Sequence, residues 1–214
     1  MSGRGLEDRI ARRAAGHGID LDDLQVSALA DYVSLLERWN RRMNLTTLND
    51  SNEGLDRLVM EPIRAVQHLP SLTVTMLDIG SGGGSPAVPM KLMRPALSLR
   101  MVESKTRKAA FLRDVVRQLA LDQTVVECCR YEELLTRPDL RETGDVITIR
   151  AVRVDNGELQ RLQVLLRSGG SIFLFGGGAE GDSCDLALPP LRWGASHALL
   201  RAHGSRLDVL IKGE

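Results

Sequence analysis

The amino-acid sequence predicts an α/β fold in which N-terminal helices precede a doubly wound, Rossmann-like sheet. The apolar segment 74–79 leads into a loop with four glycines in five positions, which is typical of α/β proteins that bind a nucleotide-like ligand. From position 73 onward, strand-like and helix-like segments alternate, whereas apolar residues before that point recur at helical spacing. We therefore expect a helical cap at residues 1–70 and one compact sheet domain at residues 71–214.

The composition indicates a globular chain that does not bind membranes. Of the 214 residues, 43% are hydrophobic, and 28 lysines and arginines balance 28 aspartates and glutamates. The zero net charge does not support a general polyanion binder, although a local basic face fits within a neutral total. No apolar run reaches the ~20 residues that span a bilayer, and the N-terminal segment is too charged for a signal peptide. We expect a cytoplasmic monomer.

The three cysteines predict neither a metal site nor a disulfide framework. Cys128, Cys129 and Cys184 are odd in number and show no C-x-x-C spacing. Such cysteines are typical of reduced, partly buried thiols in a cytosolic protein. We expect no metal cofactor.

Helices are predicted before the sheet at residues 3–16, 22–43 and 53–69. Asp20 to Asp23 suit the N-terminal cap of the second helix. The apolar stripe of this helix recurs every three or four residues and comprises Leu29, Val33, Leu36, Trp39 and Met43.

Three arginines lie on the other side of the second helix, near its end. Arg38, Arg41 and Arg42 fit either an ordinary solvated helix face or a patch that contacts phosphates beside the ligand cleft. The sequence does not distinguish between these two interpretations.

The spacing of the glycines restricts the ligand. A dinucleotide fingerprint requires glycine at the first, third and sixth places, but the sixth place counted from Gly80 is Ser85. A P-loop ends in Gly-Lys-Ser/Thr, and no lysine occurs before Lys91. The pattern that remains is acid-x-Gly-x-Gly-x-Gly, which resembles the first motif of class I S-adenosylmethionine (SAM) methyltransferases and comprises Asp78, Gly80, Gly82 and Gly84.

An acidic residue follows the second predicted strand, residues 97–103. Glu103 lies 23 residues after Gly80, which places it to accept hydrogen bonds from a ribose diol. This observation supports a nucleoside site without choosing between NAD and SAM. The alternative is a surface carboxylate paired with Lys105 or Arg107.

The rest of the chain continues the strand–helix alternation. Parallel strands are predicted at 124–128, 145–152 and 171–175, with helices at 105–120 and 155–167. Residues 197–202 and 207–212 predict an antiparallel strand pair at the end of the sheet.

Two further positions are candidates for the ligand cleft. In this architecture the residues after the third strand face the adenine, which places Tyr131 and Glu132 near the base. Arg150 lies near the carboxyl end of the apolar fourth strand, where ligands of open α/β sheets bind. A role in the cleft is favoured there over a buried ion pair.

Several segments together resemble one known family. In chain order they are LERWNRRMNLT, LDIGSGGGSPAVPM, ESKTRKAAFLRDVVRQL, RYEEL, TIRAV and SGGSIFLFGG, over about residues 30–178. They resemble the RsmG (GidB) family of bacterial methyltransferases that modify N7 of a guanine in 16S ribosomal RNA. The resemblance implies a class I SAM-dependent methyltransferase fold, SAM as cofactor with S-adenosylhomocysteine as product, and 16S rRNA or the small ribosomal subunit as partner.

The motif and the resemblance together predict the site residues. Arg150 is the predicted catalytic residue, and Arg38, Arg41, Arg42 and Arg57 are the predicted RNA-binding residues. The predicted cofactor-binding residues are Asp78, Gly80, Gly82, Gly84, Ser85, Glu103, Ser104, Tyr131, Glu132 and Arg150.

The chain departs from the family pattern at several positions. Ile149 stands where a serine is expected, and Phe175 where a lysine is expected. In the segment before the first strand, only Arg57 matches the residues usual in the family, and Glu61 matches them loosely. Phenylalanine cannot replace a phosphate contact, although it can stack on a base. A small-molecule SAM methyltransferase and a catalytically impaired SAM- or RNA-binding protein therefore stay open as alternatives.

The predicted reaction needs no general base. The lone pair of guanine N7 lies in the base plane and attacks the methyl group without loss of a proton, so alignment and electrostatics suffice. Methylation of an adenine amine would call for an Asp/Asn-Pro-Pro-aromatic segment after the fourth strand, where the chain has residues 150–153 instead. Methylation of a pyrimidine C5 needs a cysteine nucleophile in the cleft, and the position of Cys128 and Cys129 at the end of strand three does not suit it.

Overall fold

The computed structural model describes residues 3–43, 45, 51–72, 74–152, 154–177, 188–200 and 204–213. Over these residues the chain forms a helical N-terminal region followed by a seven-stranded mixed sheet. Within the described part of the chain, no helix is long and apolar enough to cross a membrane.

The N-terminal region begins with two helices, α1 (Gly3–Gly16) and α2 (Asp23–Asn40). Asp22 caps α2, because its carboxylate accepts a hydrogen bond from the Gln25 backbone and the Gln25 side chain bonds back to the Asp22 amide. The stripe residues Leu29, Val33 and Leu36 are buried, as expected.

The third predicted helix is a composite. It runs from α3 (Asn52–Leu55) through a π-helical segment (Asp56–Met60) into α4 (Glu61–Ala65) and a 3₁₀ turn (Val66–His68). Its extent matches the prediction, but its interior does not, because hydrophobic spacing does not distinguish a π segment from an α-helix. Pro62 follows the π segment and has no backbone N–H to donate into it.

The sheet has the predicted doubly wound core and antiparallel end. The strands are β1 (Thr75–Ile79), β2 (Ser98–Val102), β3 (Thr124–Glu127), β4 (Gly144–Arg150), β5 (Leu166–Gly177), β6 (Leu191–Leu200) and β7 (Ser205–Lys212). Their order is β3-β2-β1-β4-β5-β7-β6. The first five are parallel, β7 pairs antiparallel with β5, and β6 pairs antiparallel with β7. Strand β6 starts six residues before the predicted position 197, directly after Pro189 and Pro190.

Among the described residues, the strands are connected by α5 (Ala87–Met93), α6 (Thr106–Gln118), α7 (Tyr131–Leu135) and α8 (Asn156–Leu162). Two hydrophobic clusters cover the two faces of the sheet. One contains buried residues of α1, α2, α4, α5 and α6, and the other contains those of α7 and α8. The N-terminal helices thus share a core with the sheet, and the boundary at residue 70 stays a prediction.

Candidate active site

A cavity of about 740 Å³ opens at the carboxyl ends of the central parallel strands, which is where open α/β sheets bind their ligands. Four segments contribute its walls: the loop after β1, the loop after β2, the start of α7 and the end of β4. They supply Ile79 to Gly83, Ser85, Val102 to Lys105, Lys108, Cys129 to Glu132 and Arg150 to Val152, and Leu45, Arg57 and Leu58 complete the lining.

The loop after β1 requires its glycines. Gly80 has a φ of 74° and Gly84 a φ of 87°, in the left-handed region that side chains disfavour. A Cβ at Gly80 would lie 2.6 Å from the Val152 side chain, and one at Gly84 would lie 2.9 Å from that of Val88. Gly80 and Gly82 line the cavity, whereas Gly84 lies outside the lining and packs against α5.

Asp78 lies beneath the loop rather than in the cavity lining. Its side chain is buried, and Oδ1 accepts a 2.6 Å hydrogen bond from Thr148 of the neighbouring strand. Oδ2 is buried without a partner among the described residues. Burial raises the pKa of this carboxyl to about 6, and the Thr148 hydrogen bond offsets part of the shift. Its position supports the loop from below.

Glu103 joins the loops after β1 and β2. Its carboxylate is 6% exposed and accepts backbone hydrogen bonds from Gly82 (3.0 Å) and Lys105 (2.7 Å). The alternative of a surface carboxylate paired with the side chain of Lys105 or Arg107 does not match this geometry. The predicted neighbour Ser104 is exposed and also lines the cavity.

The start of α7 forms the opposite wall. Tyr131 and Glu132 both line the cavity, as do Cys129 and Arg130. The Tyr131 hydroxyl donates to Glu158 of α8 at 3.2 Å, which fixes the ring against the sheet. Burial and the nearby Glu158 carboxylate raise the pKa of this tyrosine.

The end of β4 provides a buried cation. Arg150 pairs with Glu61 at 2.6 Å, with side chains 16% and 5% exposed. Its other terminal nitrogen donates to the backbone carbonyl of Arg57 and to Ser85 Oγ at 3.2 Å. The guanidinium carbon lies 5.7 Å from the centre of the Phe175 ring. The sequence analysis treated a position in the cleft and a buried ion pair as alternatives for Arg150. In the structure Arg150 has both.

Glu61 is the ion-pair partner of Arg150, and the sequence pattern indicated it only loosely. It is 4% exposed at the start of α4, and it also accepts a hydrogen bond from the Ser205 side chain. Burial raises the pKa of Glu61 and lowers that of Arg150, while each partner's charge opposes the other's shift. Ser85 Oγ in turn donates to the Leu58 carbonyl at 2.8 Å. The π segment, the glycine loop and β4 are therefore tied together at the cavity wall.

The two positions that depart from the family pattern lie outside the cavity lining. Ile149 is 2% exposed in the core, so a serine there would replace a packed apolar side chain with a hydroxyl. Phe175 is partly buried and packs on the hydrophobic core while lying beneath Arg150.

The four predicted RNA-binding arginines separate into two places. Arg57 lines the cavity with its side chain 45% exposed, 3.4 Å from Glu53. Arg38 and Arg41 instead line a second cleft of about 550 Å³ between α2 and α6, and Arg42 is exposed next to it. The patch is thus not part of the cavity.

The charge around the cavity is unlike that of the whole chain. Two carboxylates line it, those of Glu103 and Glu132. They are outnumbered by five cationic side chains, which are those of Arg57, Lys105, Lys108, Arg130 and Arg150. The sequence analysis missed Lys105, Lys108 and Arg130. Their positions directly after β2 and β3 were the available signal, since the carboxyl ends of parallel strands lie at one edge of the sheet.

A model of the GidB family, described as rRNA small subunit methyltransferase G, matches residues 25–185. The chain belongs to the GidB family. It is 37% identical to ribosomal RNA small subunit methyltransferase G of Roseiflexus castenholzii over 145 residues, which is 68% of this chain and 62% of that protein. It is 36% identical to the Xylella fastidiosa protein of the same name over 176 residues, 82% of this chain and 79% of that one.

Solved structures support the fold of this GidB member. A putative O-methyltransferase from Klebsiella pneumoniae matches with a TM-score of 0.61 at 12% identity, over 100% of both chains. A mutant of MtNAS in complex with S-adenosylmethionine matches with a TM-score of 0.59 at 14% identity, over 100% of this chain and 93% of that one. The class I methyltransferase fold predicted from the sequence is confirmed.

Proposed function

We propose that this chain transfers a methyl group from SAM to N7 of a guanine in 16S rRNA, either free or in the small ribosomal subunit. Membership of the GidB family supports this activity. The single observation that carries it in the structure is the cavity itself. A glycine loop held by the buried Glu103 forms one wall, and the lining has a cationic excess in a chain of zero net charge. A cationic rim attracts a polyanionic substrate.

The residues present fit SAM. Gly80 and Gly82 leave the loop without side chains at the cavity wall, and Glu103, although it accepts two backbone hydrogen bonds, is positioned for a ribose diol. Tyr131 and Glu132, the residues expected to hold the adenine, line the same cavity, as do Ser85 and Ser104. Bound SAM would supply an electrophilic methyl group on sulfur. The site has no need of a metal in this chemistry.

The transfer forms the bond from N7 to the methyl carbon and breaks the bond from that carbon to sulfur, which leaves S-adenosylhomocysteine. Guanine N7 loses no proton, so the chain has to align the base and stabilise charge rather than accept a proton.

Arg150 serves this alignment in our proposal. Its donors engage the Arg57 carbonyl, Ser85 and Glu61, so it fixes the wall against which the methyl group and the base must meet. Arg57, with nearly half of its side chain exposed, is one of the lining cations available to an RNA phosphate or to guanine O6.

The test is transfer of labelled methyl from SAM to small subunits from cells that lack this enzyme, with naked 16S rRNA in parallel and mapping of the modified base. We expect label at one guanine N7. Label on a small molecule without RNA would instead favour a small-molecule methyltransferase. SAM binding without label on either RNA substrate would refute the proposed activity.

A further inference from the structure

A second cationic surface lies on the side of the molecule formed by α2 and α6. We call it the arginine face, and it comprises five exposed residues, Arg38, Arg41, Arg42, Arg113 and Arg117. Arg113 and Arg117 are one helical turn apart and therefore project from the same side of α6. Arg38 and Arg41 reach the same place from α2, since both line a cleft with Gln118 and Leu119 at the end of α6.

A hydrogen-bond framework holds this surface in place. Asp114 Oδ2 accepts from the Trp39 indole at 2.9 Å and from Gln118 at 2.8 Å, and Oδ1 accepts from Arg117 at 2.5 Å. Gln118 in turn accepts from Arg38 at 3.3 Å. Two of the five guanidinium groups are thus held in place, Arg38 by the neutral Gln118 amide and Arg117 by an ion pair with Asp114, which lowers the entropy lost when they bind an anion.

The cleft between α2 and α6 does not itself concentrate positive charge. Asp31 and Glu37 line it together with Arg38 and Arg41, so its charge is balanced. The cationic excess lies at its margin, where the exposed Arg42, Arg113 and Arg117 outnumber the Asp114 carboxylate that pairs with Arg117. A small anion inside the cleft is therefore disfavoured, whereas an extended polyanion that crosses the margin is favoured.

The arginine face is separate from the cavity but connected to it by one helix. The cleft and the cavity share no lining residue. Helix α6 follows Lys105 and carries Lys108 at the cavity end and Arg117 in its last turn. At 1.5 Å per residue, the Lys108 and Arg117 backbones lie about 14 Å apart. An RNA strand bound both at the cavity and at the arginine face would therefore have to pass over α6.

We propose that the arginine face binds the sugar–phosphate backbone of the ribosomal RNA at a distance from the target guanine. This inference rests on the proposed function. Arginines that contact phosphates position a nucleic acid without reading its sequence. The cavity then selects and methylates the base, and the arginine face supplies affinity.

The test compares two triple variants. Arg41, Arg42 and Arg113 are changed together to glutamine, and the matched control changes the exposed Arg141, Arg161 and Arg192 to glutamine. Affinity for 16S rRNA is measured between 50 and 200 mM salt. Each lost phosphate contact lowers the slope of log K against log salt by roughly 0.7–0.9, so we expect a slope shallower by about 2 in the first variant and no change in the control. The affinity for S-adenosylhomocysteine should be unchanged in both, which excludes misfolding.

Equal slopes for the two variants would overturn the inference. A weaker affinity with an unaltered slope would also overturn it, because it would indicate contact with something other than phosphate. The two proposals can fail separately. If the wild-type protein transfers no methyl group, but the triple variant still shows a shallower slope of log K against log salt than the wild type, the proposed function is refuted and RNA binding by the arginine face is retained.

Discussion

The cavity wall and the arginine face use the same charged side chains in opposite surroundings. Arg150 is largely covered, with 16% of its side chain exposed, and the protein itself engages its terminal nitrogens, whereas Arg41 and Arg113 are exposed. The aspartates differ in the same way. Burial raises the pKa of Asp78, while Asp114 has its pKa lowered, because hydrogen bonds from Gln118, Arg117 and Trp39 outweigh the effect of its burial.

The difference teaches that burial, rather than residue type, determines what a charge does in this protein. A buried, paired charge fixes geometry, and its loss leaves an uncompensated partner. An exposed charge exchanges water and counterions for a ligand, and its loss changes mainly the salt dependence of binding. The following substitutions test this contrast.

The largest effect is expected for Arg150→Ala. The substitution leaves the buried Glu61 without its cation, so we expect the free energy of unfolding to fall by roughly 3–5 kcal/mol and methyl transfer to be lost. Urea denaturation and the transfer assay measure the two effects. A stable and fully active variant would show that the pair has no positioning role.

Asp78→Asn should alter how the free energy of unfolding depends on pH, by an amount similar to the loss expected for Arg150→Ala. Because the folded pKa of about 6 lies above the ordinary 3.8, the folded state retains its proton longer, and this group's contribution to stability falls as pH rises from about 4 to 6. The shift corresponds to about 3 kcal/mol. The unfolding free energies of wild type and variant should therefore diverge over this range in favour of the variant. Parallel curves from pH 3 to pH 7 would contradict the raised pKa.

Glu103→Ala should weaken the cofactor site while leaving the arginine face intact. Loss of hydrogen bonds to a carboxylate costs about 1.5–3 kcal/mol each, so we expect affinity for S-adenosylhomocysteine to fall roughly 10- to 100-fold by calorimetry. Asp8→Ala, at an exposed position on α1, is the matched control. An undiminished affinity in the Glu103 variant would exclude this residue from the cofactor site.

The smallest effect is expected for Asp114→Ala. The substitution removes the acceptor for Trp39, Arg117 and Gln118. The Asp114 side chain is only 18% exposed, but Arg117 and Gln118 are exposed and can donate to water instead, so a loss of about 1 kcal/mol in unfolding free energy is expected. RNA affinity at a single salt concentration should fall only slightly, because every arginine is retained. A fall as large as that of the triple arginine variant would mean that the framework, rather than the guanidinium charges, determines binding.

The parts of the molecule that the sequence predicted are those with local signals. The glycine loop, the position of Glu103 and the alternation of strands and helices follow from residue spacing. The π segment at Asp56–Met60 has no such signal, because its spacing is close to that of an α-helix. The pairing of Glu61 with Arg150 joins residues 89 positions apart, so only the folded chain reveals it.

The arginines illustrate the same limit. Periodicity placed Arg38, Arg41 and Arg42 on a polar helix side, but it could not show that the neighbouring surface is α6 rather than the cavity. The contact between α2 and the end of α6 is made by Asp114 and Gln118, which bond to Trp39 and Arg38. Contacts between distant segments are not encoded in local spacing.

The most direct test of this account is the steady-state kinetics of methyl transfer to small subunits for two variants measured together. In Arg150→Lys the charge is kept but the two-pronged contacts are lost, whereas the triple glutamine variant of Arg41, Arg42 and Arg113 alters only exposed positions. We expect the first to lower kcat at least tenfold with KM for the subunit little changed, and the second to raise KM at unchanged kcat. If both variants change the same parameter, the separation of the cavity from the arginine face is wrong.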